Sequence, residues 1–147
     1  MGGLLQSPIL WSWFLHVFAA IWLTVGVFGS AVVFTQLKRA SDPASRAFGA
    51  RTAWRLLTVY TLPGALIAGV LGLWQVMAAG FGFRQGWVHL SLTLWVVLLG
   101  IILFVQIPKL REAVRTGGEV PRLAAILTHV NALLIVLMIF LMTFKPF

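Results

Sequence analysis

The residues best suited to chemistry in this chain are three histidines, His16, His89 and His129, each in or beside a long apolar run. None of those runs contains Asp or Glu, which argues against a proton relay built from carboxylates. A neutral imidazole can bind haem iron, copper or zinc. The chain has no cysteine, which removes thiol catalysis, iron–sulfur clusters and Cys-based zinc sites. A haem held inside a helix bundle needs axial ligands from different helices, small residues to make room and apolar walls. His16 and His89 lie toward the same end of their runs and form the natural pair, for haem b or for another metal. His129 starts from the opposite end and is a candidate for a single ligand, a ligand of a second site, or an interhelical hydrogen-bond partner beside Thr128 and Asn131. For each histidine the alternative is a bond to a backbone carbonyl or a hydroxyl. Arg55, with Arg51, stands at the mouth of the second run and could pair with a haem propionate or another carboxylate, or reach lipid phosphate instead. The methionines are Met1, Met77, Met138 and Met142, and only the last two share a helix face. No paired His–Met face for copper(I) is evident, so Met138 and Met142 are expected to fill gaps.

The elements that must position these residues follow from composition. The chain has 147 residues, 61% hydrophobic and 10% charged, with a mean hydropathy of +1.00. An average soluble domain is about a quarter charged. A soluble enzyme, a disordered chain and a disulfide-stapled secreted domain are therefore excluded. A membrane span needs about 20 apolar residues. Four runs qualify, at about 9–37, 56–79, 87–107 and 123–144. The expected fold is all-α: one domain over 1–147, an integral membrane four-helix bundle. No basic region precedes the first run, which is also too long for a signal peptide, so it is expected to span.

Most of the net charge of +8 sits in two loops, 38–55 and 109–122, with Arg84 and Lys145 outside them, rather than on a face suited to nucleic acid, which is excluded as a partner. The positive-inside rule puts both loops in the cytoplasm of a bacterial-type inner (plasma) membrane. Both termini and the loop carrying Arg84 then face outward. Asp42-Pro43 and Gly117-Gly118 are turn material. Pro63 lies inside the second run, where a kink is expected. The stretch from Pro43 to Arg55, with Phe48 and Trp54, reads as an interfacial start to that helix.

Two further patterns bear on packing. His16 precedes Trp22 by six residues, as His89 precedes Trp95, at an offset of 73. A parallel duplication of a two-helix unit would put the two histidines at equivalent depths about an axis along the membrane normal. Chance similarity competes with that reading. Gly64, Ala68 and Gly72, Ala65 and Gly69, and Gly26 and Ser30 repeat small residues at intervals of four. Such faces let membrane helices approach closely.

Short segments in order carry a resemblance over nearly the whole chain. They are Leu15-His16-Val17 with Trp22, Arg55-Leu56-Leu57 leading to Pro63, Gly72-Leu73-Trp74, Trp87-Val88-His89, and Lys145-Pro146-Phe147. The chain resembles the HemJ-type membrane protoporphyrinogen oxidases and their relatives, and is more distantly similar to CopD-type copper-resistance membrane domains. The resemblance implies that His16 matches an essential histidine and proposed haem ligand. It also places Ser91 where that family carries a lysine, and Thr128-His129-Val130-Asn131 where it carries Asn-Glu-x-Pro. The expected function is a b-type haem redox protein passing electrons within the bilayer, with protoporphyrinogen oxidation as its enzymatic form. The alternatives are a copper or other metal module using His16 and His89, and a non-catalytic subunit packed against a larger complex. The expected partners are the lipid bilayer and a quinone or membrane redox complex, with a homo-oligomer left open.

Overall fold

The computed structural model describes residues 7–78, 80, 83, 85–117 and 119–146. Arg84, Gly118 and Phe147, which entered the sequence reading, lie outside them. Four long helices dominate: α1 (Pro8–Leu37), α2 (Pro43–Ala78), α3 (Gly86–Thr116) and α4 (Arg122–Phe144). There is no strand among the described residues. At 1.5 Å per residue, α4 is about 35 Å long, matched to a hydrocarbon core of about 30 Å. The other three are longer. In α2 and α3 the excess is the basic flanks, which continue the helices: in α2 as the expected interfacial start, in α3 where a loop was expected.

Local chemistry explains the breaks. Asp42 caps α2, its carboxylate accepting the Ser45 N–H at 2.8 Å, with Pro43 in the first turn where a missing N–H costs nothing. Hydrogen bonding from Ser45, its side chain first and then this backbone N–H, holds the Asp42 carboxyl below its ordinary pKa. Gly117 ends α3 with φ 64°, a left-handed conformation open to glycine without strain. Between these breaks, the basic flanks of α2 and α3 pack on each other through Ala50, Ala53, Leu110 and Ala113, all buried. Arg46 ties the α1–α2 connection to the α3–α4 connection. Its guanidinium pairs with Glu119 at 2.6 Å and donates to the Ala40 and Ser41 carbonyls.

The helices are apolar on every side, as expected of spans in lipid. Phe14, Val32, Leu133 and Phe104 point outward, Phe104 81% exposed. Leu23, Val27, Leu57, Ala65, Leu98, Ile102, Leu134 and Ile135 form the interior, with members from all four helices. α1 packs against α2 and α4, and α3 against the same two. The parallel helices α1 and α3 thus occupy opposite corners.

Two π-turns interrupt the helices, Leu56–Thr61 in α2 and Ile102–Gln106 in α3. Each ends two residues before a proline, Pro63 or Pro108. The ring of a helical proline clashes with the carbonyl four residues back and removes its donor. A widened turn accommodates that clash, so the irregularity expected at Pro63 lies one turn upstream. The Val59 carbonyl, which Pro63 cannot serve, accepts the Trp22 indole N–H of α1 at 2.8 Å. Beside it, α1 and α2 come closest. A Cβ added to Gly26 would sit 2.6 Å from the Thr61 nitrogen, and one added to Gly64 would sit 2.6 Å from the Leu23 nitrogen.

Candidate functional site

The bundle opens toward the end that carries the chain termini. A cavity of about 440 Å³ lies among all four helices there, within the range of small-molecule sites. Its polar lining includes His16, Gln75, Ser91 and Lys145, and its walls are aromatic and aliphatic, with Trp87 and Trp95 prominent. A second, shallower furrow of about 640 Å³ between α1 and α2 is lined by Leu15, Phe18, Trp22, Val59 and other apolar residues. It contains no titratable group and faces lipid.

Small residues on α2 build the cavity wall, and their two rows serve two different neighbours. Ala68 and Gly72 receive α1: His16 Nδ1 lies 2.8 Å from the Ala68 carbonyl, and a Cβ on Gly72 would sit 3.0 Å from His16 Cε1. Ala65 and Gly69 receive α3: the Trp95 indole donates to the Ala65 carbonyl at 2.8 Å, and its ring covers the face of Gly69, where any side chain would overlap it. A carbonyl can only accept, so His16 donates from Nδ1 and keeps its Nε2 lone pair. One turn farther toward the terminal end, Gln75 donates to the Ser12 carbonyl at 2.9 Å. Ser91 is 5% exposed, and its Oγ has no hydrogen-bond partner among the described residues. At the rim, Lys145 Nζ stands 5.5 Å from the centre of the Trp87 ring, a cation–π contact.

The sequence candidates separate. His16 lines the cavity. His89 does not: it is exposed on α3, while its neighbours Trp87 and Val88 turn inward. His129 is exposed on α4 and bonds within its own helix, Nδ1 to the Ala125 carbonyl at 2.8 Å. Arg55 is exposed in the basic half, away from the cavity. Thr128 and Asn131, expected near His129, turn the other way. They join Gln106 in a buried chain: Asn131 Nδ2 donates to Gln106 Oε1 at 3.0 Å, and Gln106 Nε2 to Thr128 Oγ1 at 2.8 Å. Asn131 Oδ1 has no hydrogen-bond partner among the described residues.

Sequence reasoning passed over Gln75, Gln106 and the inward placement of Met138 and Met142, both of which line the cavity. The signal for the two glutamines was there, since each interrupts an otherwise apolar run. No group of three or more His, Cys, Asp or Glu side chains is placed to hold a metal among the described residues.

Four apolar helices, each long enough to cross a bilayer, around a cavity with one imidazole define an integral membrane four-helix bundle. Residues 11–146 match the family described as predicted integral membrane protein (DUF2269), and the chain belongs to that family. No curated protein and no solved structure matches the chain significantly.

Proposed function

We propose that this protein is a membrane redox protein that binds haem b in the cavity of its terminal half, with His16 as axial ligand. The observation that carries this is that His16, alone of the three histidines, lines the cavity, with its Nδ1 held by the Ala68 carbonyl. Histidines that ligate metals donate the other ring N–H to a carboxylate, carbonyl or water, which fixes the tautomer and raises ligand basicity. His16 has that arrangement in a cavity whose walls are mostly apolar, with the α2 glycine Gly72 making room for the imidazole. Haem would supply one-electron chemistry there. The chain's part is to hold the imidazole, exclude water with Leu23, Val88 and Ile135, and offer a propionate the Lys145 ammonium at the rim.

The resemblance to HemJ-type proteins supports the same reading through His16, which matches that family's essential histidine, whereas Ser91 stands where the family carries a lysine. The expected electron partner is a quinone or another membrane redox protein. The expected setting is a bacterial-type inner membrane, with the basic ends of α2 and α3 on the cytoplasmic side. Protoporphyrinogen oxidation is the narrower, enzymatic form of the proposal.

One observation favours a second reading. His16, Met138 and Met142 share the cavity, and an imidazole with two thioethers suits copper(I).

The deciding experiment is the absorption spectrum of detergent-purified protein from haem-replete cells, oxidised and then reduced with dithionite. A Soret band with sharp reduced α and β bands is expected in the wild type. His16→Ala is expected to lose them while remaining folded in the membrane. Full haem content in His16→Ala would overturn the assignment. A colourless wild type that carries copper would establish the second reading.

A further inference from the structure

A six-coordinate haem needs a ligand opposite His16, and neither of the other two histidines lines the cavity. The groups that do line it narrow the choice. Gln75 is committed to the Ser12 carbonyl, Thr24 to Ala20 and Thr143 to Ile139. Ser91 offers a neutral hydroxyl, a poor iron ligand, and Lys145 lies over Trp87 at the rim. The thioethers of Met138 and Met142 remain, both on α4. Methionine opposite histidine is an established haem ligation that raises the reduction potential.

Depth separates the two methionines. Two axial ligands of one iron must lie at nearly the same level. His16 is eight residues from the start of α1 at Pro8, about 12 Å along the axis at 1.5 Å per residue. Met138 is six residues from the end of α4 at Phe144, about 9 Å in. Met142 is two residues from that end, about 3 Å in. Burial agrees: Met138 is 8% exposed and packs with the interior cluster, whereas Met142 is 39% exposed.

We infer that Met138 is the second axial ligand of the haem bound at His16. The inference rests on the haem reading and makes the site a His/Met centre of raised potential, with its ligands on the adjacent helices α1 and α4. His89 and His129 take no part in ligation.

The test uses the full-length, haem-loaded protein in detergent. The ferric wild type is expected to show the weak long-wavelength charge-transfer band of thioether-ligated haem. Met138→Leu, which conserves volume, is expected to lose that band, shift its midpoint potential downward and keep its haem. Met138→His is expected to restore a six-coordinate spectrum at low potential without the band. Met142→Leu and His89→Ala are expected to leave band and potential unchanged. A haem-loaded wild type without the thioether band overturns the inference alone, as does a band that survives Met138→Leu. A wild type that takes up no haem overturns the haem reading and the inference together.

Discussion

The two halves of this bundle treat their polar groups in opposite ways. In the basic half, Gln106, Thr128 and Asn131 bond to one another, so their side chains are largely consumed by structure. In the terminal half, His16, Gln75 and Trp95 each bond to a backbone carbonyl of another helix. A side chain tied to a carbonyl by one atom is held in place while its other atoms stay available. Side chains paired with each other specify how helices meet, and side chains anchored to backbone can present chemistry to a cavity. Glycines follow the same division. Gly26 and Gly64 bring the α1 and α2 backbones together, whereas Gly69 and Gly72 make room for an indole and an imidazole.

The sharpest way to break this contrast is to fill a backbone approach. Gly64→Ala puts a methyl against the Leu23 backbone, which has no flexible side chain to move aside. Overpacking of that kind costs about 3 kcal/mol at the upper end of its usual range. Thermal unfolding in detergent is expected to show the loss for Gly64→Ala.

Next in size is the paired cluster. Gln106→Leu strips Asn131 of its hydrogen-bond acceptor and leaves a buried amide unsatisfied, at a cost of about 1–3 kcal/mol. Because no member of the cluster lines the cavity, bound pigment per folded protein is expected to stay unchanged. A pigment loss in Gln106→Leu would show that the two halves are coupled.

Smaller still is the strap between the basic connections. Arg46 and Glu119 are 38% and 77% exposed, and exposed pairs contribute about 0–1 kcal/mol. Arg46→Ala is expected to lower the unfolding temperature slightly, by an amount that shrinks as salt is added.

The least effect is expected from acid. The folded-state pKa of Asp42 lies below its unfolded value, so its cap contributes above the ordinary carboxylate range, near about 3.9, and is lost as pH falls through the lowered folded value. Helical content followed from neutral pH into that range should fall only at its acid end. Asp42→Asn, which keeps a capping oxygen, should remove the dependence.

What could be read from the sequence, and what could not, follows from the same physics. The four helices were legible because uninterrupted apolar length is itself the membrane signal, and His16 because an imidazole in such a run stands alone. The Pro43–Arg55 flank was legible as the interfacial start of α2, whereas the flank of α3 read as a loop because charge marks the membrane boundary, but charge does not end a helix and α3 continues through it. His89 shows the harder limit. Successive helical residues turn by about 100°, so in a helix apolar all round no pattern says which side faces inward. Trp87 and Val88 took the inside and His89 the outside. The spacing shared by His16–Trp22 and His89–Trp95 was equally silent on orientation. Both indoles donate to α2, whereas a two-fold axis would send the second to α4.

The bond from Trp22 to the Val59 carbonyl also bears on how the chain enters the bilayer. On its own, α2 would carry into hydrocarbon a carbonyl that Pro63 has deprived of its donor, and such a group costs several kcal/mol in lipid. The missing N–H comes from α1, which precedes it in synthesis. The hairpin of α1 and α2 is thus the smallest piece of this protein in which that carbonyl is matched, so the pair, rather than the single helix, is the natural unit of insertion.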